Sequence, residues 1–257
     1  MRGLYLIPGA ISRREGGAAE LARRAAVVQR LANAGWTMDT WEVTAGPASI
    51  ESAYEEYLAV PGAIERLVEA ERAGFDGAIL GCFGDPGLEA AREMVSIPVT
   101  GPGEASMLFA ATLGHRFSIV TVLDTVCALL ERLAWQVGVD RKLASVRAID
   151  VPVLDLDRDP KETFARMVRE AEAARDRDRA DVIVMGCMTM AFQERQAEMA
   201  RLLGIPVVNP LHAAVKMMQA LAELGLRHSR RAYPTPPKLR QQAAATGPGG
   251  VTPRGAR

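Results

Sequence analysis

The chain has 257 residues, 49% of them hydrophobic and 24% charged, and its 31 basic residues balance its 31 acidic residues. This composition is typical of a folded globular protein, and no apolar run approaches the roughly 18–20 residues that cross a membrane. The first residues lack the apolar core of a signal peptide and the balanced charge does not favour nucleic acid, so the sequence predicts a cytoplasmic protein that acts on a small molecule.

Eight short apolar runs alternate with amphipathic stretches, which is typical of an α/β protein with parallel sheets. The predicted strands lie near residues 3–8, 37–43, 77–82, 97–100, 117–122, 145–151, 181–186 and 206–209. Between the first two strands, Leu21, Val28 and Leu31 recur at helical spacing. This spacing predicts a helix over residues 18–34 that ends at Gly35.

An internal repeat divides the chain into two similar parts. Residues 76–82 read DGAILGC and residues 181–187 read DVIVMGC, so each has an Asp, an apolar strand and a Gly-Cys pair. The IPV triplets at 97–99 and 205–207 extend the match downstream. The duplication predicts two α/β lobes of about four strands each, with a site between them at the carboxyl ends of the strands.

The repeat also sets the expected domain boundaries. Residues 1–100 together with 208–240 are predicted to form a discontinuous lobe one, and residues 101–207 are predicted to form lobe two. The chain end is rich in basic residues and contains a TGPGG run. Residues 241–257 are therefore predicted to be a flexible tail, as chain ends often are.

Two cysteines, Cys82 and Cys187, end the repeat-related strands and each precedes a helix. A helix N-terminus offers unpaired N–H groups and partial positive charge, which favour the reactive thiolate form of cysteine. A single Cys after a buried strand is usually a small buried apolar group. Two at equivalent places are harder to explain in that way, because in a two-lobed molecule they face each other across the cleft.

Two facing thiols suit the removal of a proton from one face of a carbon and the return of a proton to the other face. The carbon must be acidified by an adjacent carbonyl, and no metal or organic cofactor is then required. A disulfide between Cys82 and Cys187 is disfavoured in a reducing compartment. Cys127 has no repeat partner and lies in an apolar helical stretch, so we expect it in the core.

At these residues the sequence resembles the hydantoin/allantoin racemase family of the aspartate/glutamate racemase superfamily. The matching segments are GPASIES (46–52), GCFGDPGLEAAR (81–92), GEASMLFAATLGHRFSIVT (103–121), ASVRAIDVPVL (144–154), GCMTMAF (186–192) and YPTPP (233–237). The resemblance implies two flavodoxin-like lobes with four-stranded parallel sheets, related by a pseudo-twofold axis. It also implies cofactor-independent racemisation, Cys82 and Cys187 as the two acid/base residues, and a homo-oligomer.

The chain departs from the family pattern on the substrate side. The family's first strand leads into Asn-Pro-Asn-Thr-Ser, whereas residues 7–12 here read IPGAIS, so two polar Asn are missing. After the second Cys the family often has Ala-Gly-Met, and this chain has Met-Thr-Met at residues 188–190. These changes favour a 5-substituted hydantoin with an apolar side chain over allantoin, whose ureido group demands several hydrogen bonds.

Candidate substrate-binding residues follow the strand ends and the two cysteines. They are Pro8, Ser49, Ile50, Phe83, Gly84, Thr121, Met188 and Thr189. Helix capping explains Ser49 and Thr121 equally well. The backbone N–H groups of Phe83 and Gly84 are candidate oxyanion donors. Asp85 precedes a proline and is predicted to cap the helix that follows.

Two other functions stay open. An amino-acid racemase or related isomerase needs strong carboxylate recognition, and the altered N-terminal loop and the absence of an Arg clamp near either Cys argue against it. A non-catalytic two-lobed small-molecule-binding protein is the other alternative, although binding alone gives no reason for paired thiols. The sequence contains no G-x-S-x-G elbow, G-x-G-x-x-G or Walker loop, and its three His lack metal-ligand spacing.

Overall fold

Two four-stranded parallel sheets form the framework of the protein, whose computed structural model describes residues 1–238. The first sheet has the order β2-β1-β3-β4 and the second has the order β6-β5-β7-β8. The strands are β1 (Arg2–Ile7), β2 (Thr37–Glu42), β3 (Gly77–Leu80), β4 (Val99–Thr100), β5 (Phe117–Thr121), β6 (Leu143–Ala148), β7 (Val182–Met185) and β8 (Val207–Val208). The repeated strand order confirms the α/β duplication that the sequence predicts.

Helices connect the parallel strands, as crossover connections require. They are α1 (Gly17–Leu31), α2 (Ala53–Arg72), α3 (Leu88–Met94), α4 (Pro102–Leu113), α5 (Cys127–Val137), α6 (Pro160–Asp176), α7 (Met188–Ala191), α8 (Gln196–Leu203) and α9 (Pro210–Glu223). Within residues 1–238, no helix is both long and apolar enough to cross a membrane.

The central strands β3 and β7 are buried at every residue, which explains why both read as continuous apolar runs. The carboxylate of the Asp that precedes each of these strands accepts hydrogen bonds from backbone N–H groups at the start of the neighbouring strand. Asp76 accepts a hydrogen bond from the Arg2 N–H at 2.7 Å, and Asp181 accepts bonds from the N–H groups of His115 and Arg116, both at 2.9 Å. The repeated Asp is therefore a structural residue in both lobes.

The apolar core lies in three layers around the sheets. One cluster fills the space between the two sheets and includes Tyr5, Ile79, Phe117 and Val184. A second lies under α2 and α3, and a third lies under α6 and α8. Because successive strand residues point to opposite faces, each sheet is buried on both sides.

Two helices cross between the lobes. Helix α4 follows the first sheet but packs against β5 and β7 of the second, while α9 follows the second sheet and packs against β3 and β4 of the first. On this basis we propose that residues 1–100 with 208–240 form lobe one, of which residues 239–240 lie outside the described residues, and that residues 101–207 form lobe two. The predicted flexible tail, residues 241–257, lies outside the described residues.

Two local predictions are wrong. Helix α1 ends at Leu31 with Ala32 as its C-cap, and Gly35, with φ of 82°, lies further on in the turn before β2. Cys127 is half-buried at the first position of α5, where its thiol donates to the Leu123 carbonyl at 3.8 Å, rather than in the core. The buried residues of α5 are Leu130, Leu133 and Ala134, so burial begins about one turn after Cys127.

Candidate active site

The Gly-Cys pairs that follow β3 and β7 make equivalent backbone hydrogen bonds to the adjacent strand. The Gly81 N–H donates to the Leu6 carbonyl at 2.7 Å, and the Gly186 N–H donates to the Val120 carbonyl at 2.7 Å. A Cβ on Gly81 would lie 2.5 Å from the ring of Tyr5, and one on Gly186 would lie 2.6 Å from Ile119 Cγ2. Both positions therefore require glycine, because any side chain would push the following Cys away from the neighbouring strand.

A side-chain hydroxyl supports each of these glycines from the adjacent strand. The Tyr5 hydroxyl donates to the Gly81 carbonyl at 3.4 Å, and Thr121 Oγ1 donates to the Gly186 carbonyl at 3.1 Å. Burial raises the pKa of Tyr5 well above its ordinary value, so its hydroxyl stays protonated. Thr121 thus supports the second Cys loop and does not cap a helix.

All ten residues predicted from the sequence, the two Cys and the eight candidate contacts, line one cavity between the lobes. Its volume of about 110 Å³ limits the occupant to a small molecule. Most of the wall is apolar. The other lining residues are Ile7, Gly9, Ile11, Arg14, Arg24, Pro47, Ala48, Ser52, Glu56, Gly81, Val122, Val126, Leu129, Leu130, Val153 and Gly186.

Cys82 is half-buried and has carboxylates nearby. Burial raises its pKa strongly, and the charges of Asp85 and Glu56 raise it further. The Gly84 N–H acts in the opposite direction and lowers the pKa of Cys82. The role of the Phe83 and Gly84 N–H groups as oxyanion donors stays a prediction.

Cys187 is buried and lies at the N-cap of α7. Burial raises its pKa, but four groups lower it: the N–H groups of Met190 and Thr189, the Arg24 guanidinium and the Thr189 hydroxyl. All four stabilise a negative charge on sulfur. The two thiols therefore lie in the same cavity but in different electrostatic surroundings.

Asp85 caps a helix, but a different one from the helix predicted. The N-cap of α3 is Gly87, whereas the Asp85 carboxylate accepts the N–H groups of Gly103 at 3.0 Å and Glu104 at 2.6 Å, in the first turn of α4. Asp85 itself adopts a left-handed conformation with φ of 51°. Burial raises its pKa to about 8, although the two N–H groups act against this shift.

Arg24 is a cavity residue that the sequence interpretation missed, and its presence contradicts the expected absence of an Arg near either Cys. Its side chain is buried, and its Nε donates to Glu20 Oε1 at 2.6 Å. Its Nη2 donates to Thr189 Oγ1 at 3.2 Å, and the guanidinium lies 4.8 Å from the centre of the Phe192 ring. Its position on the helical face of Leu21 and Val28 was the available signal.

Glu56 was also missed. Its carboxylate faces the cavity, burial raises its pKa, and it makes no hydrogen bond to the part of the chain that the structure describes. Its neighbour Glu55 instead pairs with the N-cap residue of α2: Ser52 Oγ accepts the Glu55 N–H at 3.3 Å and donates to the Glu55 carboxylate at 3.0 Å. No sequence pattern separates the roles of these two adjacent glutamates.

The loop over residues 44–52 reaches across the cavity mouth to lobe two. Ser49 does not cap α2; its hydroxyl donates to Glu51 Oε2 at 2.6 Å. Glu51 Oε1 accepts the Val153 N–H at 2.7 Å, and the Glu51 carbonyl accepts the Thr125 hydroxyl at 3.1 Å. This loop therefore fastens the two lobes together beside the cavity.

The described residues hold no group of three or more His, Cys, Asp or Glu side chains placed to bind a metal ion. The cavity instead presents two thiols, a carboxylate and two guanidinium groups on a mostly apolar surface. These groups are able to exchange protons with a bound molecule and to stabilise charge on it.

Comparisons with known proteins agree with this architecture. A family model described as Asp/Glu/Hydantoin racemase matches residues 15–218. A hydantoin racemase of Pseudomonas sp. (strain NS671) is 39% identical over 194 residues, which cover 75% of this chain and 77% of that protein.

Two solved structures extend the similarity to the whole fold. The allantoin racemase from Klebsiella pneumoniae has a TM-score of 0.84 and 32% identity, and the match covers 92% of this chain and 94% of that chain. The allantoin racemase from Pseudomonas fluorescens has a TM-score of 0.84 and 33% identity, with coverage of 92% and 97%.

Proposed function

This chain belongs to the Asp/Glu/hydantoin racemase family, and from that premise we propose that it inverts the C5 stereocentre of a 5-substituted hydantoin or related cyclic amide. The chain is an isomerase of the racemase class. The proposal adds the substrate class and a mechanism with two bases, Cys82 and Cys187. The observation that carries it is the pair of repeat-related thiols in one small, mostly apolar cavity.

The proposed reaction moves one proton off the substrate and another onto it. One thiolate takes the proton from the ring carbon, and the electron pair left behind spreads onto the adjacent carbonyl oxygen. The opposite thiol then gives its proton to the other face of the same carbon. The two sulfurs exchange protonation states in each turnover, so a proton exchange between them through solvent restores the starting state.

The cavity wall supports a hydantoin with an apolar substituent. Ile7 and Gly9 stand where the family pattern has Asn, and both lie in the wall together with Pro8 and Ile11. A cyclic amide also carries ring N–H donors, and the Glu56 carboxylate offers an acceptor that the described residues leave free. Comparing the turnover of 5-benzylhydantoin and allantoin tests the substrate, and a reaction with allantoin alone would contradict the apolar preference.

Replacing each thiol tests the mechanism. We expect Cys82→Ala and Cys187→Ala each to lower racemisation of 5-benzylhydantoin by about 10³-fold, because each removes one of two acid/base groups. In deuterium oxide, each variant should still exchange the ring proton of one enantiomer only. Cys127→Ala is the matched control and should keep its activity. Full racemisation by either single variant would refute the scheme.

Arg14 and Arg24 give a second candidate function a specific basis. Both line the cavity, so a substrate carboxylate would find positive charge there, as an amino-acid racemase requires. Arg24 is already paired with Glu20, which leaves Arg14 as the available partner. Measuring deuterium incorporation into a panel of hydantoins and amino acids discriminates between the two candidates.

A further inference from the structure

We propose that Arg24 is a positioning residue that acts through its own charge and through Thr189 to stabilise negative charge on Cys187, so that Cys187 loses its proton before Cys82 does. This inference rests on the proposed two-cysteine function, and it adds an order to the pair that the duplicated fold does not by itself predict. It depends on the contacts of Arg24, on the orientation of Thr189 and on the charges around Cys82.

The contacts of Arg24 fix its guanidinium group beside the second Cys loop. Arg24 Nε donates to Glu20 Oε1 at 2.6 Å, and the guanidinium carbon lies 4.8 Å from the centre of the Phe192 ring. Phe192 is itself buried against Tyr5, with ring centres 5.6 Å apart in an edge-to-face arrangement. An Arg held in this way loses little additional side-chain entropy when it binds a further acceptor.

That further acceptor is Thr189 Oγ1, 3.2 Å from Arg24 Nη2. When the Thr189 hydroxyl accepts from a guanidinium, its own hydrogen is directed elsewhere, and the hydroxyl lowers the pKa of Cys187, two residues before it in the chain. A hydroxyl polarised by a cation is a stronger donor to a thiolate. The chain from Arg24 through Thr189 to Cys187 therefore favours the charged sulfur.

The surroundings of Cys82 act in the opposite direction. Asp85 and Glu56 face it from its own loop and from α2, and a negative charge on Cys187 also disfavours one on Cys82. Tyr5 is the remaining titratable group that faces both thiols, and its hydroxyl donates to the Gly81 carbonyl. Arg14 is the other guanidinium in the cavity wall, whereas Arg24 is the one whose charge lowers the pKa of Cys187.

Alkylation of the full chain without substrate tests the order of the two thiols. Iodoacetamide reacts with thiolates, so the pH midpoint of labelling at each Cys, measured by peptide mass spectrometry, reports its ionisation. We expect the midpoint of Cys187 to lie about 1 pH unit or more below that of Cys82, although Cys187 is only 8% exposed and Cys82 is more accessible. A Cys82 midpoint at or below that of Cys187 would overturn the proposal.

Variants test whether Arg24 and Thr189 stabilise charge on Cys187, which we call the relay, or only stabilise the fold. Arg24→Met and Thr189→Val should each raise the Cys187 midpoint by about 1 pH unit and leave that of Cys82 unchanged, and Arg24→Lys should restore part of the shift. Arg23→Met is the matched control, because Arg23 also pairs with Glu20, at 2.7 Å, and should leave both midpoints unchanged.

An unchanged Cys187 midpoint in Thr189→Val overturns the relay, and this variant serves alone if circular dichroism shows that Arg24→Met does not fold. An equal shift in Arg23→Met would overturn it as well, since the effect would then come from the loss of any cation near Glu20. Because labelling needs no substrate, a failed racemase assay leaves this result independent of the proposed function.

Discussion

The loops after β3 and β7 share a backbone frame but differ in charge. In both, a glycine N–H donates to a carbonyl of the adjacent strand at 2.7 Å, a hydroxyl from that same strand donates to the glycine carbonyl, and a Cys follows. Beyond the Cys they diverge. The first loop continues into a turn that contains Asp85, and the second enters the short helix α7 beside Arg24.

This difference shows what a duplicated fold does and does not specify. The repeated strand and Gly-Cys pair place two thiols at equivalent positions facing one cavity. The residues that set the charge around each thiol come from elsewhere: Arg24 from α1, and Glu56 from α2. A symmetric framework can therefore present two chemically different groups to one substrate.

Adding a methyl group to the shared frame should have the largest effect. A Cβ at Gly81 would lie 2.8 Å from the Leu6 carbonyl as well as against the Tyr5 ring, and one at Gly186 would lie 3.0 Å from the Val120 carbonyl. We expect Gly81→Ala and Gly186→Ala each to lower the free energy of unfolding by about 1–3 kcal/mol, measured by urea denaturation. Both should also lose racemase activity, because the Cys moves.

The control for these variants is Gly204→Asn. Gly204 has φ of 70° with open space around its Cα, and Asn tolerates that conformation, so the stability should change little. If Gly186→Ala were as stable as the wild type while Gly81→Ala was not, the two loops would not share the frame described above.

Asp85→Asn tests the difference between the loops and should have an intermediate effect. The pKa of Asp85 rises from its ordinary 3.8 to about 8 in the folded chain, so between these pH values the unfolded state releases a proton that the folded state keeps. Stability therefore falls as pH rises across that window in the wild type. Asn does not titrate, so urea denaturation at both ends of the window should show a smaller fall in the variant.

Asp85→Asn should also bring the pH midpoint of alkylation of Cys82 closer to that of Cys187. Removing the Asp85 charge removes one cause of the raised pKa of Cys82, so its alkylation midpoint should fall by about 1 pH unit. The Cys187 midpoint is the internal control and should not move. An equal pH dependence of stability in wild type and variant, or an unchanged Cys82 midpoint, would contradict this account of Asp85.

Much of the frame could be predicted from the sequence, because a buried parallel strand and a repeated Gly-Cys pair are local patterns. All eight predicted strands are present, and all ten predicted site residues line one cavity. Their catalytic and binding roles, like the homo-oligomer, stay predictions. Arg24 and Asp85 could not be assigned, because their partners Thr189 and Glu104 are set by tertiary packing.

The junction between the lobes should give the smallest effect. Glu51 belongs to the loop over residues 44–52, and its carboxylate accepts the Val153 N–H of lobe two at 2.7 Å. The same carboxylate orients Ser49, which lines the cavity, through a bond of 2.6 Å. Glu51 itself is absent from the cavity wall, so it affects substrate only by holding the loop in place.

We expect Glu51→Ala to raise KM for the proposed hydantoin substrate by about 5-fold and to change kcat by less than about 2-fold, because one hydrogen bond of roughly 1 kcal/mol holds the loop closed. Steady-state kinetics measures both values. Glu51→Gln keeps an oxygen acceptor for Val153 and should restore most of the affinity. A lower kcat with unchanged KM would contradict this expectation. It would mean that Glu51 controls the alignment of the two lobes, and with it the relative positions of the two thiols, and not the closure of this loop.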